Sequence, residues 1–228
     1  MSRSPTLCLR VRGPWAIFTR PELKTERVSY PCMTPSAARG IMEAVLWKPA
    51  IQWRIERIHV LTPIRFGAIF RNEVKSKMSV PSSRIIENGG AVDRYFADED
   101  RNRAQRNTIA LRDVDYVIEG RIILTDRVGP GENITKFQEM FVRRVNKGQH
   151  FHQPYLGCRE CAAEVLSAED APSPIRDTRD LGIMLWDIDY GQRRHTPRFF
   201  AAQLSEGILE VPERPEATLE ALAKGGPA

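Results

Sequence analysis

A chain of 228 residues and 26.0 kDa makes one compact domain, or one with a small appendage, and 42% hydrophobic with 28% charged residues excludes global disorder. No apolar run approaches the ~20 residues that a bilayer span needs, and the N-terminus lacks a secretory leader, so the sequence predicts a soluble cytoplasmic protein with no membrane partner and four reduced cysteines. The net charge of +5 is uneven: residues 1–77 hold 14 Lys or Arg against 5 Asp or Glu, a balance of +9 that leaves −4 for the rest, and such a basic half is expected to attract a polyanion.

In chain order, Thr6 to Arg12 alternates apolar with polar residues and predicts a first strand, broken at Gly13-Pro14. A basic loop follows, with Arg20, Lys24, Arg27 and Tyr30 in a segment of no clean period. Thr34-Pro35-Ser36 supplies an N-cap with proline at the first helical position, and Ala38, Ile41, Ala44 and Val45 share one face before Pro49 ends this first helix. Ile51 to Leu61 has a strand period whose apolar face switches near Arg57, which predicts a bulge. Arg65 to Lys77 extends a ribbon, and Ser79 to Arg106 is polar and Gly-containing and reads as a mobile insertion whose Arg101, Arg103 and Arg106 would be a second, mobile contact for a polyanion. The strand signal resumes from Ile109 to Leu124. A helix over Asn133 to Lys147 then sets Ile134, Phe137, Met140, Phe141 and Val145 in a stripe. Another strand is expected after Gln149, and Leu181 to Tyr190 with Phe199 to Val211 read as a late antiparallel pair. The last residues, from Glu213, carry no core pattern.

This order predicts an α+β chain: a ferredoxin-like (RRM-like) domain over 1–160 with the insertion near 79–106, a small antiparallel β appendage over 161–212, and a flexible tail over 213–228. Other motifs carry less. Cys158-Arg159-Glu160-Cys161 has the spacing of half a zinc knuckle, but Cys8 and Cys32 lie far off and structural thiols are the better reading. Trp15, Trp47, Trp53 and Trp186 could stack on bases, although most such indoles pack in cores. Asp187 and Asp189 alternate on a strand without a third ligand and read as a solvated face, as do His150 and His152 around Phe151. Gly129-Pro130-Gly131 lacks the Lys-Ser/Thr of a nucleotide-binding loop.

Several composite blocks carry a resemblance that spacing alone does not: Phe18-Thr19-Arg20-Pro21-Glu22, Glu26-Arg27-Val28-Ser29-Tyr30, Thr34-Pro35-Ser36-Ala37-Ala38-Arg39-Gly40-Ile41, Trp47-Lys48-Pro49-Ala50, Arg71-Asn72-Glu73-Val74, Asp115-Tyr116-Val117-Ile118-Glu119 and Leu156-Gly157-Cys158-Arg159-Glu160. From about Leu9 to about Phe200 the chain resembles the fifth Cas family, subtype I-C, CRISPR-associated endoribonucleases of the repeat-associated mysterious protein superfamily. The resemblance implies an antiviral-defence protein that cuts precursor CRISPR RNA without metal or other cofactor, then stays on the 5′ handle inside the Cascade complex beside its large and backbone subunits. It also implies a catalytic set in which a Tyr or His precedes Trp-Lys-Pro and a Lys-His pair opens the second helix. Here those positions read Leu46 and Lys136-Phe137, so only Lys136 matches, and neither Leu nor Phe can move a proton. Weak cleavage is therefore expected. The alternative is a fully active enzyme using other groups, with Tyr30 the first candidate and Lys24, Lys48, His150 and His152 behind it. Phosphate contacts are expected at Arg20, Lys24, Arg27, Arg39, Lys48, Arg71, Lys75 and Lys136, with Tyr30 stacking nearby.

Overall fold

The computed structural model describes all residues except 1, 2, 24, 78, 92, 93, 95, 192–194 and 224–228. Among the described residues eight strands form one antiparallel sheet in the order β5-β1-β4-β2-β8-β7-β6, with β3 paired to the outer part of β4. The strands are β1 Leu7–Ala16, β2 Ile51–Val60, β3 Phe66–Val74, β4 Arg103–Leu124, β5 Glu164–Leu166, β6 Arg179–Asp189, β7 Thr196–Ser205 and β8 Ile208–Glu210. The helices are α1 Pro35–Val45, α2 Ser83–Glu87, α3 Ile134–Asn146 and α4 Pro215–Ala223.

Helix α1 begins where Thr34 caps it: the Thr34 hydroxyl accepts from the Ala37 N–H at 3.3 Å, and Pro35 fits a position whose own N–H would be unpaired. Its Ala38, Ile41, Met42, Ala44 and Val45 are buried. Asn133 caps α3 by accepting from the Lys136 N–H at 2.9 Å, and α3 buries Phe137, Phe141 and Val145, each one turn beyond the last. The core joins these helix faces to Leu7, Leu9 and Val11 of β1, Trp53, Ile55 and Ile58 of β2, and Tyr116, Ile118 and Ile122 of β4. Phe141 lies on Trp53 with ring centroids 4.8 Å apart.

The register of β2 against β4 shifts between Ile55 and Arg57, where the sequence predicts a bulge. Strand β1 does not stop at Gly13-Pro14 but pairs with β4 through Ala16; β5 covers it only from Arg10 to Arg12, so the N–H that Pro14 lacks costs no bond on that edge. Strand β4 turns at Asp113, whose φ is +51°, and its outer part with β3 forms a two-stranded arm. Within the expected insertion the described residues from 79 to 100 are mostly exposed and contain only the short α2, while Arg103 and Arg106 belong to β4. Arg101 pairs with Glu99, Arg103 with Asp100 and Arg106 with Glu26, so none of these three arginines is a free cation.

The C-terminal strands join the same sheet, because β8 pairs with β2 over Arg57 to His59. Residues 215–223, where no core pattern is expected, form α4. Pro215 is buried, Arg198 pairs with Glu216, and the Thr218 hydroxyl accepts from the Ala201 N–H at 3.0 Å. These polar contacts of Glu216 and Thr218 tie the helix to β7. Among the described residues no helix is long and apolar enough to cross a membrane.

Candidate nucleic-acid interface

The last carbonyls of a helix have no partner inside it. At the end of α1 three segments supply those partners. The Phe151 N–H donates to Ala44 O at 2.7 Å, Arg144 Nη1 donates to Val45 O at 2.6 Å, and Trp53 Nε1 donates to Leu46 O at 2.8 Å. Thr125 Oγ1 donates to Pro49 O at 2.7 Å and docks the loop after β4 there as well. These bonds bring Arg144 and the segment His150-Phe151-His152 to the last turn of α1, while Trp47, Lys48 and Arg127 line one cavity beside it. Leu46 and Phe137, 0% and 1% exposed, both point into the core, whereas Trp47 is 51% exposed and Lys48 and Lys136 are exposed. A cavity of about 400 Å³ opens here, lined among others by Trp47, Lys48, Arg127 and Tyr190. Tyr190 is 62% exposed, with its ring edge-on to His195 at 4.9 Å.

Beside that cavity Arg39 forms a two-bonded fork with Asp187, Nε to Oδ2 at 3.0 Å and Nη2 to Oδ1 at 2.8 Å, and Nη1 reaches Glu43 at 2.8 Å. Burial works against the Arg39 charge, but the Asp187 and Glu43 carboxylates outweigh it and hold the guanidinium pKa above its ordinary value. Asp187 is thus no solvated strand residue: the fork ties α1 to β6. Replacing Arg39 by Met leaves a partly buried carboxylate unpaired and is expected to cost ~1–3 kcal/mol, less than a fully buried pair because both side chains keep about a quarter of their exposure. Lys, a point charge, should not restore it. Denaturant unfolding checks this, and a loss below ~0.5 kcal/mol would remove the fork from the account.

The eight expected phosphate contacts divide sharply. Arg20 pairs with Glu22 at 3.6 Å, and its guanidinium lies 4.7 Å from the Tyr30 ring centre. Arg27 pairs with Glu73 at 3.6 Å, and Arg71 with Glu73 at 2.9 Å and Glu160 at 3.1 Å. With Arg39, these four are already neutralised within the chain. Lys24 lies outside the described residues. Lys48, Lys75 and Lys136 are exposed and enter no ion pair with a described residue. Sequence reading missed Arg143 and Lys147. They stand seven and eleven residues after Lys136, so Arg143 shares an exposed face of α3 with Lys136 and Lys147, at the C-cap, follows in line with them, and neither of the two is ion-paired with a described residue. The spacing opposite the Phe137-Phe141-Val145 stripe was the signal. Arg127 was missed too, since its loop has no period.

Tyr30 is buried, and burial first, then Glu22, pushes its phenol pKa up against the backbone of Leu185 and the charge of Arg20. A buried phenol that holds its proton more tightly is a poor base. His152 lies by the last turn of α1, its N–H 3.4 Å from Ala44 O, and lines a second cavity with Arg39 and Tyr155; His150 is exposed between α3 and that turn.

The outward face of β1, β4 and β2, the surface on which RNA-recognition modules stack bases, is built differently. It carries Arg10 on Asp115 (2.6 Å), Arg12 on Glu164 (2.7 Å), Arg57 and His59 on Glu119 (2.8 and 3.0 Å) and Arg121 on Glu56 (2.7 Å). Each arginine named meets a carboxylate, and Cys8 and Val117 are the residues between them, so this face offers neither stacking rings nor spare positive charge. Cys158 Sγ donates to Ile17 O at 3.6 Å, while burial, then Cys158 and Glu160, pushes the Cys161 thiol up to about 11. Among the described residues no three His, Cys, Asp or Glu side chains gather as a metal site.

A mixed α/β chain with this sheet belongs to a known class of fold. One solved structure, described as a CRISPR-associated protein, matches with a TM-score of 0.68 at 21% identity, covering 96% of each chain. Another, a functionally uncharacterized protein from Streptococcus mutans, matches with a TM-score of 0.66 at 21% identity, covering 95% of this chain and 96% of that one. The family model described as CRISPR-associated protein (Cas_Cas5) matches residues 6–212, and the chain belongs to that family. It is 47% identical over 212 residues to a protein of Mannheimia succiniciproducens named CRISPR pre-crRNA endoribonuclease Cas5d, covering 90% of this chain and 93% of that protein. It is 38% identical over 238 residues to a Thermus thermophilus protein of the same name, covering 96% of each.

Proposed function

We propose that this chain binds CRISPR RNA at the repeat-derived 5′ handle and helps assemble a type I-C Cascade surveillance complex, with metal-independent cleavage of the precursor weakened or lost. Family membership and the two relatives named as endoribonucleases support the substrate class. The observation that carries the rest is the burial of Leu46 and Phe137. At the two places where the resemblance calls for proton-transfer groups there are apolar side chains that do not reach solvent, beside an exposed Lys136 that can still meet a phosphate. Lys48, Lys75 and Lys136 head the proposed phosphate contacts because they are unspent on ion pairs. The sub-order β5-β1-β4-β2, with α1 after β1 and α3 after β4, supports a ferredoxin-like reading of the N-terminal region, with β6 to β8 as its C-terminal extension.

The arm supplies the surface for a neighbouring subunit, backbone or large. Phe66, Phe70 and Val74 recur every fourth residue on one exposed face of β3, with Phe70 72% exposed, an arrangement that costs solvation unless covered. The test of cleavage is direct. Purified protein incubated with its repeat RNA in chelator is expected to retain the RNA in a gel shift while yielding little product with a 2′,3′-cyclic end. A discrete product formed within minutes would instead favour the second reading, an active nuclease using other groups. The position of His150 and His152 at the end of α1 favours that reading, and they would be the first residues to replace.

A further inference from the structure

We infer that the cavity between Trp47 and Tyr190 is a stacking site for one unpaired base of a single-stranded RNA. This deepens the proposed function and rests on its premise that the chain binds RNA.

The tryptophans of this chain otherwise behave as packing residues: Trp53 is 2% exposed and bonded through its N–H, Trp15 lies under Arg112, and Trp186 lies under Arg198 and donates to Pro212 O. Trp47 differs. It stands half in water at the end of α1 and takes part in no ring or cation contact among the described residues. Tyr190, a second exposed ring, lines the same cavity, brought there by the Arg39–Asp187 fork three residues earlier on β6 and braced by His195. A volume of about 400 Å³ falls in the range, roughly 300–1,000 Å³, of small-ligand clefts.

Charge argues that the ligand is a base rather than a phosphate cluster. Lys48, Arg127 and Arg39 line the cavity, but so do Asp126, Glu43 and Asp187, and Arg39 is spent on the last two. The lining therefore sums to no net charge. What it offers is two exposed aromatic rings with polar groups around them, the chemistry that takes a neutral planar ring. Lys48 stands at the rim as one unspent cation, and the others that would follow the backbone, Lys136 and Arg143 on α3 and Lys147 at its C-cap, lie outside it.

Stacking and phosphate contact respond differently to salt, and this separates them. Trp47→Ala and Tyr190→Ala are each expected to weaken binding of single-stranded repeat RNA by about 5- to 100-fold, leaving the slope of log affinity against log salt unchanged. Trp47→Phe should keep most of the affinity. Lys136→Ala with Lys147→Ala should instead flatten the slope, by about 0.7 for each phosphate no longer neutralised. In wild type, single-stranded RNA should quench tryptophan emission, and the Trp47→Phe protein should lose most of that quenching; the same RNA annealed to its complement should quench neither. Both rings are exposed, so the variants should melt as wild type does, and circular dichroism checks it. If wild type binds no repeat RNA, the proposed function falls and takes this site with it. If wild type binds and the folded alanine variants bind equally well, or lose affinity only through a changed salt slope, the stacking site alone is overturned.

Discussion

Gly157→Ala should lower the melting temperature by roughly 6–12 °C, a loss of about 3 kcal/mol or more in a chain of this size. Gly157 has φ +85°, where a side chain is strained, and a Cβ there would lie 2.1 Å from Ile17 O and 2.7 Å from Ile17 C. That carbonyl cannot step aside, because its segment is bonded on both sides: the Ile17 N–H donates to Leu156 O at 3.0 Å, and the Phe18 N–H donates to Ser29 Oγ at 3.0 Å. The turn seats the fully buried Leu156 against the end of β1, so forcing it open also exposes an apolar anchor. Gly40 gives the contrast. It lies inside α1 with nothing within 4 Å of its missing Cβ, and Gly40→Ala should stabilise by ~0.5–1 kcal/mol through helix propensity. Two glycine-to-alanine changes with opposite signs in one thermal scan test the geometry, and a Gly157→Ala protein melting within a degree or two of wild type would refute it.

What the sequence made legible was local. Thr34-Pro35 marks the start of α1 because capping is settled within three residues, and Phe137-Phe141-Val145 shows the inner face of α3 because helical spacing repeats along one element. The bulge near Arg57 left its mark as a switch of apolar face within β2. What stayed hidden depends on distance. The pairing of β8 with β2 joins residues some 150 apart and leaves no trace in either strand's own pattern. The same holds for charge. Arg39 shows only its helix neighbour Glu43 until Asp187, 148 residues away, accepts two of its three bonds, and Arg71 shows only Glu73 until Glu160 accepts a second. Counting basic residues thus overstates the cations free to meet a polyanion, because it cannot see which are paired within the chain. The cations left unspent are fewer, and those on α3 lie outside the basic half. Trp47 illustrates the limit from the other side, since nothing in its neighbours tells a packing indole from an exposed one.

The largest catalytic effect is expected from Leu46→His combined with Phe137→His: an imidazole gains solvation by turning out of the core, Leu46 adjoins the exposed Trp47 and Phe137 the exposed Lys136, and from there the pair should raise cleavage of the repeat RNA by about 10²-fold or more over wild type, as general acid–base groups contribute ~10²–10⁴-fold each. Stability should move the other way. Both sites are fully buried, so each imidazole either leaves its packing place empty by turning outward or carries an unpaired polar group into the core, at ~1–3 kcal/mol or more apiece. A protein that melts lower but cuts faster cannot owe its activity to better folding. The rate should rise with pH through about 6–6.5, because a histidine acting as base must be neutral, and burial, which disfavours the charged ring, shifts that limb lower rather than higher. Leu46→Ala with Phe137→Ala carries a similar or larger packing loss without the imidazoles and should gain nothing. Lys136→Met in the double-histidine background should remove the gain, since it takes away the exposed cation that would balance charge on the phosphate. If the folded double-histidine protein cuts no faster than wild type, or wild type already cuts at the rate expected of the restored enzyme, the two apolar residues are not what limits cleavage.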